Sequence, residues 1–193
     1  MSFFIEYYFF LLMLTYYILT FLYSIILKKK VILDICILGV LYTFRIIGGG
    51  FATEIQISFW LLAFSIFLFL SLAAVKRQSE LVDLKNRKKI KIIGRNYQAT
   101  DLPIISMIAI SAGFISVLIA GLYINAPDML ALYSKPWTLG AVSIVLLFWL
   151  MNIISASSRG LVDDDPIIYA IKDNTSSICL ITVMLLILTN FLK

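Results

Sequence analysis

Between Ser71 and Asp83 the chain passes from an uncharged apolar run into a charged one, and the residues able to do chemistry gather there. Read as a helix, Lys76, Glu80, Asp83 and Arg87 recur at steps of four, three and four, so they share one face. Where such a helix leaves the lipid, a lysine beside two carboxylates suits a diphosphate and its Mg²⁺. The carboxylates hold the metal and the lysine holds phosphate oxygens. The same spacing also describes a juxtamembrane helix with ordinary salt bridges.

A second pair of charges lies upstream. Asp34 and Arg45 are eleven residues apart, which returns them to nearly the same helix face, with Arg45 about 16 Å deeper. An arginine inside an apolar run demands a partner or a wet cavity, or else snorkels outward. The chain holds no histidine, so a metal site must use carboxylates, which favours Mg²⁺ over Zn²⁺. Its two cysteines, Cys36 and Cys179, both sit in apolar runs and give neither a ligand spacing nor a disulfide framework.

The elements that must carry these residues are membrane helices. Of the 193 residues 62% are hydrophobic and 14% charged, against about 45–50% and about 25% in soluble domains. The expected fold is all-α, a polytopic bundle of about six transmembrane helices in a single domain over residues 1–193. Six segments fit: Phe3 to Leu27, Val31 to Thr53, Ile57 to Val75, Leu102 to Ile124, Pro136 to Ser158 and Asn174 to Leu192. The third has 19 uncharged residues, enough at about 1.5 Å each to cross a core of about 30 Å. The aromatic start of the first segment is too long and lacks the basic lead of a cleavable signal, so it reads as a retained span.

Charge sets the orientation. Lys28, Lys29 and Lys30, the eight basic residues from Lys76 to Arg95, and Arg159 with Lys172 fall on one side. Lys135 and Lys193 fall on the other, which puts the long Lys76 to Asp101 connection in the cytoplasm as a cap and both termini outside. Asp34, the Lys76 to Asp83 face, Arg95 and Asp163 to Asp165 then gather at one inner mouth. Asp165 before Pro166 reads as a helix cap with a first-turn proline, and Thr100 or Asp101 before Pro103 reads the same way. The cell (inner) membrane, crossed several times, is the expected location.

An ordered set of short pieces carries a family resemblance. They are Tyr23-Ser24 with Lys28, then Asp34, Tyr42 through Arg45 to Gly48-Gly49, Ser58-Phe59-Trp60, Lys76-Arg77-Gln78-Ser79-Glu80-Leu81, and Asp165-Pro166 through Ala170 to Asp173. Together they resemble the UbiA-type prenyltransferase superfamily, nearest the decaprenyl-phosphate phosphoribosyltransferase branch. The resemblance implies nine helices in full-length members, of which these six segments would be helices four to nine, with the N-terminal helices lacking. It also implies a first Asn-Asp-x-x-Asp-x-x-x-Asp motif for Mg²⁺ and diphosphate, absent from this sequence, and a second at Lys76-Arg77-x-x-Glu80-Leu81.

On that resemblance the chain is a transferase, or the C-terminal part of one, with phosphoribosyl diphosphate as donor and a polyprenyl phosphate as acceptor. Lys76 and Glu80 are the expected catalytic residues. Tyr23, Lys28, Tyr42, Arg45, Arg77 and Arg95 bind substrate, and Glu80 and Asp83 hold Mg²⁺. The implied partners are a polyprenyl lipid and either an N-terminal-half chain or a second copy; nucleic acid is not expected. The missing first motif leaves a non-catalytic membrane subunit or lipid-binding scaffold as the alternative. A small transporter is disfavoured by the lack of an internal repeat.

Overall fold

The computed structural model describes residues 2–87, 94–126, 137–162 and 165–189, with backbone alone for 2–6. Seven α-helices carry them: α1 (Ser2–Ile25), α2 (Leu33–Thr53), α3 (Phe59–Asn86), α4 (Leu102–Leu122), α5 (Trp137–Ser158), α6 (Pro166–Lys172) and α7 (Asn174–Leu188). Five described helices or helix-turn runs are long and apolar enough to cross a membrane, six if α6 and α7 count as one bent span. The protein is an all-α, multi-pass membrane protein.

α3 is the axis. Its 28 residues run about 42 Å, longer than a hydrocarbon core of about 30 Å, so one unbroken helix carries both the lipid span and the charged turns beyond it. Ser58 starts it, its hydroxyl accepting the Leu61 N–H at 3.1 Å. α2, α4, α5 and α6 all pack on α3, while α1 lies on α2 at the edge. The buried core clusters around residues 73–84 of α3, with Ile35, Tyr97, Ile105, Ala109, Ile153 and Ile154. Packing is therefore tightest at the end where the charges sit.

Small residues let the helices close on α3. The Ser71 hydroxyl donates to the Ala109 carbonyl at 2.7 Å, and the Ser157 hydroxyl to the Val75 carbonyl at 3.2 Å. In lipid, such bonds and close backbone contact replace the hydrophobic drive between helices. At Gly39 a Cβ would lie 3.3 Å from the Leu70 backbone nitrogen, so α2 and α3 touch nearly backbone to backbone.

The last segment starts at Asn174, where it was expected, and is helical to Leu188; a short helix, α6, precedes it. α6 and α7 meet at 83°. Asp165 caps α6 by accepting the Ile167 N–H at 2.9 Å, with Pro166 in its first turn. Asp173 then caps α7, accepting from the Ser176 N–H and hydroxyl, each at 2.8 Å. Two consecutive caps force two helices, and only the first was evident in the sequence. Residues 88–93 of the expected cap, and Asp163, Asp164, Lys135 and Lys193, lie outside the described residues.

Gly39→Leu should force α2 off α3 and cost about 1–3 kcal/mol, the range for overpacking. At Gly49 an added Cβ meets nothing within 4 Å, so Gly49→Leu should leave stability unchanged. Unfolding of the detergent-solubilised variants checks both.

Candidate anion-binding site

The chain enters the inner mouth through a tight turn. After α1, Leu27–Lys29 form a 3₁₀ turn, and Ile32 then adopts φ 69°, with the Leu33 N–H donating to the Val31 carbonyl at 2.8 Å. This γ-turn is strained for a β-branched residue. It is secured by the Tyr97 hydroxyl, which accepts the Ile32 N–H at 3.3 Å. The turn starts α2 so that Asp34, in its first helical turn, faces α3.

Asp34 is fully buried and so is its partner, Arg77. The Arg77 Nε donates to Asp34 Oδ2, Nη1 donates to Glu80 Oε1, and Nη2 reaches Asp34 Oδ1 at 3.5 Å and the Tyr23 hydroxyl at 3.3 Å. Tyr23 in turn donates to Asp34 Oδ1 at 2.7 Å. Every nitrogen of Arg77 is thus engaged within the protein. A guanidinium with two carboxylates and a phenol meets the requirement that a buried charge be paired and hydrogen-bonded.

Glu80 extends the network outward. Arg95 Nη1 donates to its Oε1 at 3.0 Å and its Oε2 at 2.8 Å. Arg95 Nε is buried without a hydrogen-bond partner among the described residues. One turn away, Lys76 Nζ meets Asp165 Oδ2 at 2.7 Å in a pair that is partly open to solvent. Lys76, Arg77 and Arg95 line a cavity of about 260 Å³ with Tyr23, Tyr42 and Asp165, over an apolar floor that includes Phe69 and Ile167. Three cations therefore stand against Asp34, Glu80 and Asp165, and the cluster is neutral.

Two groups outside the spans respond to this setting. Burial, and after it the Asp34 carboxylate, hold the Tyr97 hydroxyl above its ordinary value, so it stays protonated. Burial raises the Asp165 carboxyl, but hydrogen bonds from Lys76 and the Ile167 N–H outweigh it and hold it below the usual range.

The expected site residues divide into two groups. Tyr23, Tyr42, Lys76, Arg77 and Arg95 border one cavity, and Glu80 stands behind it, held by two arginines. Arg77 has its nitrogens committed to the protein, so it organises the site rather than offering itself to a phosphate. Arg45 is elsewhere. It is exposed, its Nε and Nη2 donate to the Tyr16 hydroxyl at 3.1 and 3.0 Å, and it borders a separate hollow of about 330 Å³ with Phe9, Met13 and Gly48. It touches the main cavity only through Tyr42, whose ring lies 5.0 Å from its guanidinium. Lys28 lies half-buried in the 3₁₀ turn and is not part of the cavity lining.

The Mg²⁺ expectation meets a mismatch. Asp83 is exposed and paired with Arg87 at 2.8 Å, while both Glu80 oxygens face arginines. These two carboxylates do not converge, and no cluster of three acidic or cysteine side chains suited to a metal occurs among the described residues. The helical face drawn through Lys76, Glu80, Asp83 and Arg87 serves three different partners instead of one ion. Sequence reasoning placed Asp34 at the inner mouth but gave it no role in the site, and Tyr97 it missed. A lone aspartate at the head of an apolar run was the available signal for the first.

A second hollow adjoins the first. About 390 Å³ lies between α5, α6 and α7, lined by Trp149, Ala170, Cys179 and Leu180, among others, and it shares Ile167 with the charged cavity. The α6–α7 bend opens it, and the Trp149 Nε1–H braces its wall by donating to the Ser176 hydroxyl at 3.1 Å.

Two curated relatives match the chain. Nodulation protein NoeC of Azorhizobium caulinodans is 30% identical over 154 residues, covering 80% of this chain and 50% of the relative. The uncharacterized protein y4nM of Sinorhizobium fredii is 34% identical over 159 residues, covering 82% of this chain and 31% of the relative. The chain thus spans half the length of one relative and about a third of the other. No protein-family model matches the chain.

Asp34→Asn would leave the Arg77 charge buried with one carboxylate and should cost about 3–5 kcal/mol. Asp83→Asn removes a surface pair and should change stability by less than about 0.5 kcal/mol. Chemical unfolding of both variants in detergent tests the contrast. Because the folded Asp165 carboxyl titrates below its unfolded value of about 3.9, its contact with Lys76 is fully stabilising above that pH. Stability should fall as pH drops from that value toward the lower folded one, and Asp165→Asn should flatten that part of the acid-unfolding profile.

Proposed function

We propose that the chain is a UbiA-type membrane transferase, or the C-terminal part of one, acting at the inner face of a cell membrane. It would move a phosphoribosyl or prenyl group from a diphosphate donor, with phosphoribosyl diphosphate and a polyprenyl phosphate as the substrates that suit it best. The observation that supports this is the pairing of cavities: a lysine and an arginine with spare donors border one hollow, and an apolar groove lies beside it with Ile167 as the shared wall. A phosphate joined to a long hydrocarbon needs that combination.

In this reading an acceptor phosphate oxygen bonds to the ribose C1 as the bond from C1 to the diphosphate oxygen breaks. Lys76 and Arg95 stabilise the departing diphosphate, an electrostatic strategy whose strength comes from donors already in position. Arg95 offers its unpartnered Nε. Lys76 offers its ammonium by exchanging Asp165 for phosphate, which the open setting of that pair permits. Glu80, backed by Arg77 and Asp34, fixes Arg95, Asp165 holds Lys76 until phosphate replaces it, and Tyr42 orients the substrate. Mg²⁺ belongs to the reading as a companion of the diphosphate, but Glu80 and Asp83 do not fit as its ligands, and no step depends on them.

One observation favours the alternative of a non-catalytic lipid-binding scaffold: the cation cluster is already neutralised by its own carboxylates. Turnover separates the two. Vesicles holding the chain, a partner chain that supplies the Asn-Asp-x-x-Asp-x-x-x-Asp motif and a polyprenyl phosphate should release diphosphate from phosphoribosyl diphosphate, and Lys76→Ala should lower the rate by about 10²-fold or more, as loss of one charge-stabilising donor does. Asp83→Asn should leave the rate unchanged. Retention of polyprenyl phosphate with no diphosphate released would establish the scaffold.

A further inference from the structure

The α1–α2 face is an unfinished interface centred on Arg45. α1 forms a span with none of its window buried, and Tyr7, Phe10, Tyr17 and Phe21 are among its exposed side chains. Exposed apolar groups alone would only face lipid. Arg45 makes this region different: it is exposed and borders the hollow between α1 and α2 with Phe9, Met13 and Tyr16.

Arg45 is twelve residues from the start of α2 and eight from its end, so it sits about 18 Å from one end and about 12 Å from the other. Helical side chains lean toward the N-terminus, so Arg45 leans away from the nearer end and cannot easily snorkel there. Its contacts agree: the guanidinium lies over Tyr42, one turn back, and donates to Tyr16. Those partners solvate the charge without neutralising it.

Among the described residues no carboxylate is in position to do so. Asp34 is fully buried with Arg77. Glu54 closes α2 nine residues beyond Arg45, about 13 Å along the helix. Glu6 stands ten residues above Tyr16 on α1, about 15 Å away along that helix. A second copy has the same inventory, with no free carboxylate at this depth among its described residues. Lipid headgroups lie at the membrane surface, far from a charge at mid-span.

We infer that the hollow bounded by Phe9, Met13, Tyr16, Arg45 and Gly49 receives a transmembrane helix from a different polypeptide segment, one bearing an aspartate or glutamate at mid-membrane depth. The carboxylate pairs with Arg45, and the open backbone at Gly49 admits the helix closely. Charge complementarity sets the depth and register of that helix, as ionisable groups inside membranes usually pair with one another.

The test uses the full chain, fluorescently labelled in lipid vesicles at pH 8, with leucine-rich single-span peptides carrying Asp, Asn, Leu or Lys at the centre. Energy transfer should show the Asp peptide binding about tenfold or more tightly than the Leu and Lys peptides. Arg45→Gln should remove that preference, and Arg45→Lys should keep part of it. Equal binding of the Asp and Leu peptides to the unmodified chain would overturn the inference without reliance on any variant. So would an Asn peptide binding as tightly as the Asp one, or Arg45-dependent association of the chain with itself.

Discussion

A guanidinium with no access to water governs the inner half of this bundle. Arg77 is carried on the central helix at the level where lipid gives way to headgroups, and its charge requires carboxylates on both sides. One comes from the head of α2 and the other from the next turn of α3. That requirement fixes α2 against α3, places Tyr23 of α1 over Asp34, and leaves Glu80 turned outward to catch Arg95 from the loop. Four parts of the chain are tied through one side chain. Removal of any one partner would strand a charge in a low-dielectric setting, where the penalty is largest.

The same network explains the character of the cavity beside it. Within the six-residue cluster the three positive and three negative side chains balance, so recognition inside the cavity rests on short-range hydrogen bonds. The two ion pairs at the rim also differ from the buried one in kind. Lys76–Asp165 is accessible and exchangeable, whereas Arg77–Asp34 is sealed. A site built this way has a rigid back wall and a replaceable front.

Much of this architecture was legible in the residues. Uncharged runs of about 20 residues define spans with little ambiguity, and caps such as Ser58 and Asp165 mark where helices begin. Basic residues in the connections indicated which ends share a side. What escaped was pairing across distance. Helical spacing put Glu80 and Asp83 together, yet the partners that draw them apart come from Arg95 and Arg87, and spacing along one helix cannot rank such competitors. Arg45 shared a nominal face with Asp34, but Asp34 meets Arg77 of α3 whereas Arg45 meets Tyr16 of α1. Tyr97 was invisible because a loop tyrosine reveals its burial only once the loop has folded back over the core.

The turn at Ile32 acts as a loaded spring. A β-branched residue held at positive φ stores roughly 1–3 kcal/mol, which persists only while its surroundings hold it. Tyr97 and the adjoining helices supply that restraint. Any event that draws the loop bearing Tyr97 away would let the backbone relax, and the energy released would loosen the hinge between the first two helices. Folding energy is thereby stored two residues from the aspartate on which the inner mouth is built.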